Sequence, residues 1–229
     1  MPIFAENPAG ENLRYSPVYD QVKQARTEDD ASLPMGVWEH KLKSVDYKKA
    51  EELCYQALCE KTKDLQLVAW LMESWIALYG AEGLRRGFLM LEKFIKDFWE
   101  TAYPKLEDPL EPELRLSPLV WLNEKFSAKV AAYLQVLPKN DKNDAPLTLL
   151  DWRRAQEIDK QVMQAEDSDA MKSTFGREGA VFLDAYKTQL DAAPVEDLQA
   201  LGSLLAEVTL SIESIESFVR VQLPDVRFA

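Results

Sequence analysis

Four residues, Gly80-Ala81-Glu82-Gly83, separate two long apolar helical patterns in this chain. The upstream pattern is apolar on nearly every side, with Leu67, Val68, Trp70, Leu71, Trp75, Ile76 and Leu78. A helix without a polar face must be covered by neighbours, so it is predicted to be central. Gly80 suits the left-handed residue that ends a helix, and so short a link favours antiparallel neighbours. The second helix is predicted to begin at Leu84 and reach Ala102, with Phe88, Leu91, Ile95 and Phe98 inward. Gly87 falls inside it, where glycine costs ~1 kcal/mol against alanine. Close approach of another backbone is expected to compensate. The residue before a proline disfavours α geometry, so Tyr103-Pro104 stops the helix.

Other start and stop signals fill in the rest. Residues 1–15 read as an irregular arm. Ser16-Pro17 gives an N-cap with proline at the first helical position, and predicts a helix over 17–28. Residues 29–36 read as a loop, anchored by Val37-Trp38. Asp46 is expected to cap a helix over 47–60, whose inner stripe is Tyr47, Ala50, Cys54, Ala57 and Leu58. Thr62 is expected to cap the central helix, with Asp64 in its first turn where the helix dipole favours an anion. Residues 105–116 form an acidic, proline-bearing loop, and Ser117-Pro118 repeats the cap-plus-proline start for a helix reaching Val136.

The segment 138–146 (PKNDKNDAP) is the strongest linker signal, making 138–147 a candidate boundary between an N-terminal bundle and a C-terminal helical subdomain. Thr148, with Asp151 three residues on, caps a sixth helix. A seventh is predicted over 177–192, and a last one from Pro194. That last helix carries Leu198, Leu201, Leu205, Val208, Ile212, Ile215 and Val219, whose alternating spacings of three and four form a heptad seam. Packing within the chain's own bundle and a coiled-coil contact with another chain both fit it. The fold class is all-α, a bundle of about eight helices. Helix starts show no fixed period, so a repeat solenoid has no support.

Composition narrows function by exclusion. The formal charge of −12 argues against nucleic acid and anionic lipid as main partners. The N-terminus lacks the basic and apolar regions of a signal peptide, and no charge-free apolar run spans a membrane. These features predict a cytoplasmic protein without membrane insertion. Cys54 and Cys59 lie about 140° apart around one helix, cannot bridge within it, and read as buried thiols. His40 is the only histidine. That removes the usual histidine metal sites and the Ser-His and Cys-His nucleophiles. Phosphate-binding glycine motifs are missing. Carboxylate pairs such as Glu51/Glu52 and Glu107/Asp108 read as solvated surface, and Trp70 and Trp75 as core. No catalytic, cofactor-binding or metal-ligating set is predicted.

With those residues laid out, 62–122 resembles the ImpA-related N-terminal domain that opens TssA proteins of bacterial type VI secretion systems. The resemblance rests on Thr62-Lys63-Asp64-Leu65, Ala69-Trp70-Leu71, Gly83-Leu84, Gly87-Phe88, Trp99, Pro104, Arg115 and Trp121-Leu122. Thr62 stands where the family pattern has serine, and Phe88 where it has leucine. Gly10, Arg14-Tyr15 and the Ser16-Pro17 helix also fit. The likeness is specific over 14–122 and weak beyond 150.

The resemblance implies one helical domain over 16–229 and a non-enzymatic assembly protein of a contractile, phage-tail-like machine. It implies contacts with baseplate, tube and sheath proteins in the bacterial cytoplasm, and no cofactor. Family members carry a variable C-terminal region that forms rings, so self-association would run through a downstream region absent here. The signature residues Asp64, Leu65, Trp70, Leu71, Gly83, Leu84, Gly87, Trp99, Pro104, Arg115 and Trp121 are expected to be structural, with Asp64 bonded internally. Two rivals from other classes are a generic helical adaptor that binds a partner peptide or helix, and an acidic helical enzyme-regulator domain.

Overall fold

The computed structural model describes residues 1–28, 44–106, 113–137 and 146–224. Expectations for His40, Val37-Trp38, the 29–36 loop, Glu107/Asp108 and most of the 138–146 linker fall outside these residues. The described chain is mostly α-helical. Its helices are α1 (Pro17–Ala25), α2 (Tyr47–Glu60), α3 (Leu65–Phe98), α4 (Glu113–Trp121), α5 (Ser127–Tyr133), α6 (Leu149–Gln164), α7 (Ser168–Arg177), α8 (Leu183–Asp191) and α9 (Val195–Gln222). One π-helical turn, Leu122–Phe126, joins α4 to α5.

α3 is a hairpin. Gly80, at φ 57° and ψ −134°, breaks it into limbs over 65–79 and 81–98. A Cβ on Gly83 would overlap the Trp75 carbonyl, and one on Gly87 would meet the Met72 side chain at 3.0 Å. Such partners are far apart along a straight helix, so the limbs fold back antiparallel, as the short link predicts. The close backbone approach expected at Gly87 occurs at Gly83 instead; Gly87 makes room for Met72. At the open end, the Leu65 amide donates to the Tyr103 carbonyl (2.8 Å) and the Tyr103 amide to the Lys63 carbonyl (2.7 Å).

The other helices dress this hairpin. α2 packs on α3, and α1 packs on α2. α4, the π turn and α5 run back along the second limb: the Arg115 guanidinium sits over Trp99, Phe126 meets Phe88 at 6.3 Å, and Tyr133 comes beside Gly80. α9 makes the most extensive contact with α3. It runs parallel to the second limb, from the Arg85–Glu207 ion pair (3.2 Å) to the Trp99–Phe218 ring contact (5.7 Å). The lower part of the heptad seam is therefore internal, since Val208, Ile215 and Val219 are buried in the main core. α9 also has the length and apolar character of a membrane span, with mean hydropathy 1.2, but these residues tie it to α3.

Several boundaries differ from the sequence reading. The cap of α3 is Asp64, not Thr62: Asp64 accepts from the Gln66 (2.7 Å) and Leu67 (3.2 Å) amides. Residues 61–63 are held extended between the arm and Tyr103, which leaves Thr62 too early to cap; its buried hydroxyl has no partner among the described residues. Ser117-Pro118 is not a helix start. α4 already runs from Glu113, and Pro118 is buried inside it. The predicted fifth helix ends at Tyr133. Gln135–Leu137 and Leu147–Thr148 then pair as antiparallel strands β1 and β2. α7 went unpredicted, and α8 starts at Leu183 rather than 177, because Gly179 at φ 76° interrupts the helix.

The capping box of α6 forms as read. The Asp151 amide donates to the Thr148 hydroxyl (3.3 Å), and the Thr148 amide to the Asp151 carboxylate (2.8 Å). Cys54 is buried, where burial pushes its thiol up to about 12. Cys59 is exposed, contrary to the reading of two buried thiols. Glu51 is no free surface acid either: it accepts from Trp75 Nε1 (2.9 Å) and the Tyr79 hydroxyl (2.9 Å).

Candidate interaction surface

Polar groups are buried where α1, α3 and α4 meet. The Tyr19 hydroxyl donates to Asp64 Oδ2 at 2.6 Å, so the carboxylate that caps α3 also holds α1. Burial raises the Asp64 pKa, opposed by the Tyr19 and amide hydrogen bonds. Burial first, and the Asp64 charge second, raise that of Tyr19. Tyr19 meets the edge of Trp70 at 5.0 Å.

About two turns on from Tyr19, Arg26 lies between two rings, 4.9 Å from the Trp70 centroid and 5.4 Å from that of Trp121. It donates from Nε to Glu73 Oε2 at 2.6 Å. Lys129 reaches the other oxygen of Glu73 at 3.4 Å. Glu73 is 3% exposed, so a carboxylate within the central helix is satisfied by cations from α1 and α5. Pairing of this kind offsets the cost of taking the charges out of water. Nothing in the spacing of Arg26, Glu73 and Lys129 revealed this cluster. A glutamate within an otherwise apolar helix was the available signal.

Arg115 is unlike these. It is 1% exposed, and no guanidinium nitrogen has a hydrogen-bond partner among the described residues. Its group lies 5.4 Å from the Trp99 centroid, a cation–π contact. Burial lowers its pKa to about 10, opposed by the charges of Glu100 and Asp64.

The structure brings most signature residues to this one end of the hairpin. Asp64 and Leu65 open the first limb there, Trp70 and Trp121 clamp Arg26, and Trp99 sits under Arg115. Pro104 follows the turn beside Lys63, in cis peptide linkage to Tyr103. Leu71 and Leu84 lie in the main core. Gly83 and Gly87 belong to the opposite part, where the limbs meet.

A cleft of about 560 Å³ opens over this end. Asp64, Trp70 and Pro104 form part of its floor, and Tyr15, 93% exposed, stands at its mouth. Arg14, Lys23 and Lys105 line it against the carboxylates of Asp20 and Asp64. With Asp64 engaged by Tyr19, the cleft presents a cationic mouth on an acidic chain. Among the described residues no cluster of three or more metal-ligating side chains occurs. The arrangement is suited to gripping a polar or acidic surface.

The molecule is thus a helical domain built on a hairpin closed by buried charges, with a cleft at its base. The chain belongs to the family described as ImpA, N-terminal, type VI secretion system, whose model matches residues 1–124. It is 26% identical over 128 residues to type VI secretion system component TssA1 of Pseudomonas aeruginosa. That alignment covers 52% of this chain and 35% of the relative, so the chain spans about a third of that protein. The fold is similar to the N-terminal domain, including the ImpA_N region, of the TssA component of the type VI secretion system from Burkholderia cenocepacia. That likeness has a TM-score of 0.80 at 23% identity and covers 98% of this chain and 82% of the other.

Proposed function

We propose that this chain is a non-enzymatic protein–protein interaction domain of a TssA-type assembly factor, docking on the baseplate and contributing to tube and sheath assembly. It works in the bacterial cytoplasm. The observation that carries this reading is where the family match falls. Residues 1–124 contain α2 and the elements that line the cationic cleft: the arm, α1, the α3 hairpin with its 103–105 turn, and α4. Within this reading 1–15 is an arm, 16–229 one helical domain, and 138–147 a boundary between subdomains. The signature residues hold the cleft in shape, while Arg14, Tyr15, Lys23 and Lys105 meet the partner.

The test is retention of purified baseplate, tube and sheath proteins on immobilised chain at low and moderate salt. At least one is expected to be retained, more weakly as salt screens the cleft. The exposed-charge variant Arg14→Glu/Lys105→Glu should lose that retention while keeping its helical circular dichroism. Folded protein that retains none of them overturns the reading.

A further inference from the structure

A second surface lies on the other side of the hairpin. Its floor is the second limb of α3, with Leu84, Phe88 and Leu91. One wall is the α4–π–α5 run, with Leu119, Leu122, Phe126 and Val130, and the other is α9, with Val208, Ile212, Ile215 and Val219. α9 packs on α3 but stands off from α4–α5, leaving an apolar groove of about 500 Å³. From Val208 to Val219 the wall runs about 16 Å, three helical turns.

The ends of the groove are charged. Leu149 bonds back to Leu134, so α6 starts where α5 stops and sets Arg153 at one end. Arg220 follows Val219 on α9 at the other, beside the α4 end of the groove. Both arginines are exposed, and neither makes an ion pair among the described residues. Glu216 is the single acid lining the groove. A negatively charged chain thus flanks an apolar trough with two arginines against one acid, a net positive rim.

We propose that this groove accepts an amphipathic α-helix of a partner protein, with an apolar stripe inward and acidic residues near both ends. Three turns match apolar anchors at i, i+4, i+7 and i+11, the usual helix-in-groove pattern. The arginines select acidic flanks and oppose basic ones. The inference rests on the chain being an interaction domain, but not on which machine component it meets. Failure of the retention experiment would leave the groove standing, and failure here would leave the cleft standing.

The probe is a fluorescein-labelled synthetic helix of about 14 residues with leucine at those four positions and glutamate flanking them, read by anisotropy. Saturable binding with a Kd below ~100 µM is expected, and a lysine-flanked version should bind roughly 5- to 30-fold more weakly. The exposed pair Arg153→Glu/Arg220→Glu should invert that preference without changing the melting temperature. Ile212→Trp, which fills the trough, should weaken both peptides. No saturable binding up to about 1 mM overturns the proposal. So does equal affinity for both flanks, or inhibition of binding by self-association in light scattering, which would make the occupant a second copy.

Discussion

The α3 hairpin body and the α6–α8 layer are made of similar helices held by different means. The hairpin body is bound through buried polar groups. Asp64 ties α1 to the start of α3, Glu73 ties α1 and α5 to its middle, and Glu51 ties α2 to its Trp75. The α6–α8 layer has Leu137, Leu147 and Tyr186 as its buried cluster, with Trp152 against Tyr186 at 5.1 Å. α7 buries no residue at all. Apolar contact alone tolerates sliding, whereas a buried carboxylate must find its cations in one geometry. The part that must hold a shaped cleft is the part with buried charges. The family match covers this part except α5, which lies beyond residue 124.

The largest effect should come from breaking the buried cluster. Glu73→Ala leaves Arg26 in a mostly buried place without its anion, and should cost ~3–5 kcal/mol in urea unfolding. Glu73→Gln should cost clearly less. Trp70→Ala removes a ring that packs on both Tyr19 and Arg26, for a loss of ~3–5 kcal/mol. Trp152→Ala, half-buried in the lesser cluster, should lose only ~1–2 kcal/mol. Equal losses at the two tryptophans would abolish the contrast.

Glycine gives a pair of opposite sign. Gly83→Ala pushes a methyl into the Trp75 carbonyl where the limbs touch, and should destabilise by ~1–3 kcal/mol. Gly202→Ala, in α9 with nothing within 4 Å of a new Cβ, should stabilise by ~0.5–1 kcal/mol. Melting temperatures of the two variants decide the signs.

The smallest effect is acid sensitivity at the α3–α9 seam. Hydrogen bonds from Arg85 and Arg86 hold Glu82 at about 2, and Lys96, Ser214 and Ser211 do the same for Glu92, against an ordinary 4.5. A depressed carboxylate stabilises the fold above its ordinary pKa and stops doing so as pH falls through its folded one. The gain should fade between pH 4.5 and about 2. Asp64 works the other way. Burial raises its pKa, so its ionisation on raising the pH opposes the fold. Glu82→Gln/Glu92→Gln should flatten the acid limb of stability against pH, measured by denaturant unfolding.

Much of the hairpin was legible because its signals are local. An all-round apolar helix, a left-handed glycine and a four-residue link leave little choice but an antiparallel return. Asp46 and Thr148 cap as read for the same reason. What escaped depended on distant partners. Thr62 and Asp64 are equally good caps by sequence, and the extended pairing of 61–63 with the arm and Tyr103 decides between them. Pro118 read as a start because α4 begins among residues without a periodic apolar signal. α7 is amphipathic without burying anything, although Asp167, which caps it by accepting from the Ala170 amide (2.9 Å), was a readable cue. The site was less legible than the fold. Signature residues marked the hairpin end, but the cationic side chains around it come from the arm, α1 and the 104–105 turn, and only folding brings them together.

Amide hydrogen exchange across the whole chain tests the central claim most directly. The slowest amides should lie in the first limb of α3, with α1 and α2 close behind, and those of α6–α8 should exchange at least ~10-fold faster, reporting a local opening some 1.4 kcal/mol easier. Protection in α6–α8 equal to that of the α3 limb would contradict the claim that buried charges make the hairpin body the rigid part of this domain.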